Sequence, residues 1–209
     1  EHGEKEREFY TLEDFIELFD TENLNKSNPV FNRDKLVWFN QKYIHMLKPD
    51  QFVLTFTQWL ENYGDDTDLK NSIIEHGPDY LESSLVLVQE RCKVLSELPD
   101  LISPFYTYPE KSAVYKVVET TKQTNKLDKS TIDSFVSAFC SELEQQSSVK
   151  KWGHESWETF VRTYAESNEL KAGQLFMTLR IVILGTPFSP PLFESMEVLE
   201  KETILERLA

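Results

Sequence analysis

Two arginines hold what chemistry this sequence can offer. Arg180 lies in the middle of "KAGQLFMTLRIVILGTPFSPPLFE" (residues 171–194), a stretch that is otherwise apolar up to Gly185. The loop that follows carries Pro187, Ser189, Pro190 and Pro191 before Leu192. Arg91 stands beside a second apolar run, "LVLVQERCKVL". A guanidinium offers five N–H donors and no acceptor, so it matches flat ligand edges rich in acceptors. Prolines fix φ and hold a loop in shape, which lowers the entropy lost on binding. The simplest alternative is that both arginines snorkel from apolar faces or form internal ion pairs.

No other chemistry competes with them. The sequence contains no glycine-rich phosphate loop, no G-x-S-x-G and no H-E-x-x-H. Glu75 and His76 adjoin in "EHGPD", where a cap or turn explains the pair better than an acid/base dyad. Cys92 and Cys140 fall in apolar helical patterns and read as small core residues, and His2, His45, His76 and His154 are scattered. No metal or redox site is expected. A guanidinium with a rigid polar loop does suit an unpaired nucleobase, which can be stacked or hydrogen-bonded on its edges.

The charge balance weighs against that use without excluding it. The chain of 209 residues has 22 Lys and Arg against 36 Asp and Glu, a formal charge of −14, and phosphate binding needs cations. The acids are uneven, however: eight fall in the first twenty residues, whereas from Lys150 onward nine face seven Lys and Arg. No signal-peptide pattern and no apolar run near ~20 residues occurs, so the chain is expected to be soluble, cytoplasmic and without a membrane partner.

The elements that must position the arginines read as helices, and the expected class is all-α. The opening "EHGEKERE" is polar and reads as a cut or linker. Thr11 and Asp14 form a capping box for a helix with the stripe Leu12, Phe15, Ile16 and Phe19. Asn32 can cap a second helix (Leu36, Phe39, Tyr43, Leu47), and a third carries Phe52, Phe56, Trp59, Leu60 and Tyr63 before Gly64. Leu81, Leu85, Val88, Cys92 and Leu95 predict one long helix closed by Pro99. "ISPFYTYPE" reads as a linker between subdomains. Further stripes are Ile132, Phe135, Val136 and Phe139, then Trp157, Phe160, Val161 and Tyr164. Leu175, Phe176, Leu179, Val182 and Ile183 form the buried face of the Arg180 helix, which Gly185 ends. The run "LRIVILG" also admits a short buried strand. Pro190 or Pro191 starts a last helix with Ile204, Leu205 and Leu208.

The residues also resemble a family. "LKAGQLFMTLRIVILGTPFSPPLFESMEVLEKETILERL" is similar to the C-terminal signature of bacterial-type glutamyl-tRNA synthetases, class I enzymes that read K-x-G-x-x-F-x-P-L-R, T-G, P-x-L-F and L-G-K-E in order. "FNRDKLVWFNQKYI" resembles the segment after the catalytic domain, and "LVQERCKVLSELPDL" the first anticodon-binding subdomain. The HIGH and KMSKS signatures that bind ATP are absent.

The resemblance therefore implies a non-catalytic, tRNA-binding part of a glutamate–tRNA ligase. Residues 1–48 would end the stem-contact region, and 49–105 and 106–209 would be two helical anticodon-binding subdomains. ATP and magnesium would belong to the complete enzyme, with the catalytic domain N-terminal to this segment and the whole acting as a monomer. Arg91 lines up with the arginine that contacts the third anticodon base, a cytosine. Its donors match cytosine O2 and N3, whereas guanine would oppose donors to donors at a cost of ~1–3 kcal/mol. Some members charge glutamine tRNA as well, and Arg91 is compatible with either behaviour. Arg180 lines up with the arginine that contacts the first two bases, and Ser189, Pro190 and Leu192 with the loop that cradles them. Thr178 replaces the usual proline, and Glu200 stands where glycine is common. The competing expectation is an acidic all-helical protein–protein module, its arginines remote from each other or paired internally. The anticodon reading instead requires Arg91, Arg180 and the 186–192 loop to share one surface.

Overall fold

The computed structural model describes residues 9–20, 30–146, 152–188 and 190–209, which contain helices and turns but no strand. Contacts divide the chain into two units, residues 1–33 and 34–209. In the first, α1 (Leu12–Leu18) begins with the expected capping box. Thr11 Oγ1 accepts the Asp14 N–H at 3.1 Å, while Asp14 Oδ2 accepts the Thr11 N–H at 2.8 Å. The box fixes where α1 starts, but its stripe of Leu12, Phe15, Ile16 and Phe19 is exposed.

The second unit holds the remaining helices around one core. These are α2 (Arg33–Met46), α3 (Pro49–Tyr63), α4 (Thr67–His76), α5 (Pro78–Val88), α6 (Leu98–Tyr106) and α7 (Lys111–Thr120), then α8 (Lys129–Gln145), α9 (His154–Ser167), α10 (Ala172–Leu184) and α11 (Leu192–Leu208). α5 packs on α3, α4 and α6, while α11 packs on α8, α9 and α10. The two groups meet where α11 also touches α5 and α6.

Several stripes lie where periodicity put them. Trp157, Phe160, Val161 and Tyr164 of α9 are all buried, as are Phe52, Phe56 and Leu60 of α3 and Ile132 and Phe139 of α8. Each such large apolar side chain contributes ~1.5–3 kcal/mol by leaving water. Cys92 is buried and Cys140 partly so, and burial raises both thiol pKa values, that of Cys92 to about 12. Both thiols are therefore held protonated at neutral pH, as suits core residues. In α2 the expected stripe is shifted: Leu36 and Tyr43 are exposed and Ile44 is the buried residue. Tyr63, at the end of α3, is also exposed.

The expected long helix over 81–95 is not one helix. α5 ends at Val88, a 3₁₀ turn covers Gln89–Arg91, Cys92 is extended, and a second 3₁₀ turn spans Leu95–Glu97. Pro99 then opens α6 rather than closing its predecessor, because a proline in the first turn forfeits no helical hydrogen bond. The stretch read as a linker is mostly α6, with Ile102, Phe105 and Tyr106 buried. Pro104 sits inside that helix and cannot donate to the Asp100 carbonyl. The Ser103 hydroxyl donates there instead, at 3.2 Å. His76 ends α4, its Nδ1 2.8 Å from the Ser72 carbonyl and its ring tilted against that of Tyr80, so Glu75–His76 is a helix terminus. The strand alternative for "LRIVILG" is excluded, since α10 runs unbroken to Leu184.

Candidate nucleic-acid interface

Arg91 closes the 3₁₀ turn after α5, and its neighbours pin that turn from both sides. The Gln89 side chain donates to the carbonyls of Ile44 at 2.8 Å and Leu47 at 2.9 Å, satisfying the end of α2. Asn40 of α2 donates to the Lys93 carbonyl at 2.6 Å, and the Lys93 N–H donates to Glu97 at 3.0 Å. Cys92, fully buried, anchors the backbone directly behind. The Arg91 side chain is left exposed.

α10 buries Leu175, Thr178, Leu179 and all of Ile181 to Leu184, and holds Arg180 half-buried at its edge. The Arg180 pKa is drawn below the ordinary guanidinium value, first by burial and second by the positive charge of Arg91. A guanidinium stays protonated under such shifts. The second cause is the informative one: two cations from distant parts of the chain lie near enough for one to weigh on the other. Thr178 does not interrupt the helix, and its hydroxyl donates to the Gln174 carbonyl at 2.9 Å.

The loop leaves α10 through Gly185, whose φ of +72° is the left-handed cap expected of it. A Cβ there would come within 2.5 Å of Pro109 Cγ, so the close approach also demands glycine. Two long-range donors fasten the α10 terminus. The Tyr108 hydroxyl donates to the Val182 carbonyl at 2.6 Å, and Arg207 donates to that of Ile183 at 2.9 Å. The Thr186 hydroxyl accepts the Phe188 N–H at 3.1 Å, closing a small turn around Pro187. Pro190 and Leu192 are buried, so their side chains anchor the loop's far end. Ser195 donates through both N–H and hydroxyl to the Pro191 carbonyl, at 3.0 and 2.7 Å. Ser189 lies outside the described residues.

Two residues at this site were not read from the sequence. Phe188 projects from the loop with 86% of its surface exposed. An aromatic between prolines, off any helical stripe, is a readable signal of that. Arg207 gives no such signal, because its partners on α6 and α10 are remote in the chain.

Residues 51–209 match the family model described as "Anticodon binding domain". The chain belongs to the anticodon-binding domain family. Within it, the chain is 31% identical over 207 residues to glutamate–tRNA ligase 1 of Nitrosococcus oceani, covering 99% of this chain and 40% of that ligase. It is 32% identical over 203 residues to the glutamate–tRNA ligase of Dehalococcoides mccartyi, covering 97% and 39%. The crystal structure of a glutamate–tRNA ligase from Elizabethkingia meningosepticum shares the fold, with a TM-score of 0.71 at 21% identity over 97% of this chain and 36% of that one. This anticodon-binding domain thus spans about two fifths of the ligases it matches. Among its described residues no group of three His, Cys, Asp or Glu could hold a metal ion, and no helix is long and apolar enough to cross a membrane.

Glu200 acquires meaning within this family. Its φ of +62° and ψ of 161° kink α11, a conformation that favours glycine, and it occupies the position where the resembling signature carries glycine.

Proposed function

We propose that this chain reads the anticodon of a tRNA as the C-terminal part of a glutamate–tRNA ligase, with Arg91 and Arg180 as its principal base-contacting groups. The observation that carries this reading is the match of residues 51–209 to the anticodon-binding domain family, and the weight of the Arg91 charge on Arg180 supports the choice of these two residues. Two cations that feel each other's charge repel, and an anionic, acceptor-rich ligand that meets both offsets that repulsion.

In this reading Arg91 meets the third anticodon base through acceptors on its Watson–Crick edge. Arg180 meets the first two bases, and Ser189, Pro190 and Leu192 are the loop residues that the family resemblance assigns to cradling them. Residues 49–105 contribute the first arginine and 106–209 the second, while 1–48 lead from the stem-contact region. The complete ligase, acting in the cytoplasm as a monomer, would attach glutamate to tRNA with ATP and magnesium held by a catalytic part N-terminal to this segment.

The test is binding of RNA hairpins carrying a glutamate anticodon, or the same loop with guanine as third base. Arg91→Ala is expected to weaken the first about tenfold and to narrow the gap between the two. Equal affinity and equal preference in variant and wild type would remove Arg91 from the site.

A further inference from the structure

A groove of about 480 Å³ lies beside the loop, between α6 with the residues that follow it and the chain leaving α10. Phe188, Gly185 and Thr186 form one wall, and Asp100, Ser103 and Thr107 line the other. Its size falls within the ~300–1,000 Å³ of small-ligand sites. We propose that this groove holds an unpaired, amino-bearing nucleobase of the same RNA, stacked on the Phe188 ring. The inference rests on the anticodon reading above and adds a subsite to it.

Three observations lead there. First, Phe188 is 86% exposed on a turn fixed by its own N–H bond to Thr186 and by Pro187. A phenyl ring kept in water by a braced backbone forgoes its burial free energy and is available as a stacking platform. Second, the groove lies close to Arg180 along the chain: Leu184 and Gly185 at its wall, the last residue and the cap of α10, follow Arg180 by little more than one helical turn. A strand held at Arg180 can therefore deliver a neighbouring base to it.

Third, the opposite wall is rich in acceptors. The Ser103 hydroxyl spends its proton on the Asp100 carbonyl, and that of Thr107 on the Ser103 carbonyl at 3.1 Å. Both oxygens keep lone pairs, and the exposed Asp100 carboxylate is an acceptor only. Such a wall repels a phosphate and accepts N–H groups, so the edge of a base enters rather than the backbone. It favours an exocyclic amine, as carboxylates do when they read cytosine N4. The polarity is the reverse of that at Arg91 and Arg180, whose donors read acceptor edges.

The experiment uses the 209-residue chain and the glutamate-anticodon hairpin, with 2-aminopurine placed at each loop position in turn. Phe188→Ala is expected to weaken binding about tenfold, with Phe188→Trp restoring it. One loop position should show a fluorescence change with wild type that is lost with Phe188→Ala. At that position an amino base should bind better than its keto counterpart, a preference that Asp100→Asn relaxes. If Arg91→Ala and Arg180→Ala weaken binding while Phe188→Ala does not and no position responds, the groove is not a base site and the anticodon reading stands. If wild type fails to bind the hairpin at low salt, both are wrong.

Discussion

Arg207 and Arg180 both belong to the α10–α11 pair, and burial is the first cause that draws each pKa below the ordinary value. Their surroundings differ in kind. Arg207 donates to the carbonyls of Pro104 at 2.6 Å, Ile183 at 2.9 Å and Phe105 at 3.3 Å, and its guanidinium lies 5.3 Å from the Tyr108 ring centroid. It closes helix ends that would otherwise leave carbonyls orphaned. Arg180 has the second cation, Arg91, as its neighbour. One arginine is committed to joining α6, α10 and α11; the other lies half-buried at the edge of α10 within reach of a second cation. A cation in an apolar helix is thus not diagnostic by itself, and the groups around it decide its role.

Substitutions can break or sharpen that contrast. The largest effect is expected from Arg207→Met, which orphans the carbonyls of Pro104 and Ile183. It should lower unfolding free energy in urea by about 3 kcal/mol, with RNA affinity falling only through lost folded protein. Arg180→Ala should invert the pattern: about 30-fold weaker hairpin binding, with stability changed by less than about 1 kcal/mol. Equal losses in both measurements for the two variants would erase the distinction.

Gly185→Ala couples the two regions, because it strains a positive φ and drives a methyl toward Pro109. A stability loss of about 1–2 kcal/mol is expected, together with weaker binding from a displaced loop. Smallest and opposite in sign is Glu200→Gly, which relieves the kinked backbone of α11 and should raise stability by about 1 kcal/mol while leaving hairpin affinity unchanged. Thermal or urea unfolding reads both.

Periodicity located α9 and the start of α1 well, because in each case a local pattern or cap specifies the helix without distant help. It failed between Leu81 and Leu95 for a physical reason: it detects which residues face the core, not whether the backbone between them is continuous. Val88, Cys92 and Leu98 are all fully buried, yet a turn separates them, stabilised by Gln89 reaching α2. Pro99 and Pro104 look like helix breakers, but one opens α6 and the other is accommodated by the Ser103 hydroxyl. α4 is short and offers only Leu69, Ile73 and Ile74 as apolar residues, although Asp66 caps it through the Leu69 N–H at 2.9 Å. Of the site, Gly185 and the rigid loop were legible locally. The nearness of Arg91 to Arg180 was legible only through the family resemblance, since it depends on how α2, α5 and α10 come together.

The central claim is that Arg91 and Arg180 form one RNA-binding face on a chain of net charge −14. Fluorescence anisotropy with a glutamate-anticodon hairpin, at two salt concentrations, tests it most directly on wild type and on the Arg91→Ala/Arg180→Ala double variant. The account predicts that wild type binds with an affinity that falls as salt rises, and that the folded double variant binds about 100-fold more weakly. Wild-type affinity in the double variant, or binding insensitive to salt, would contradict it.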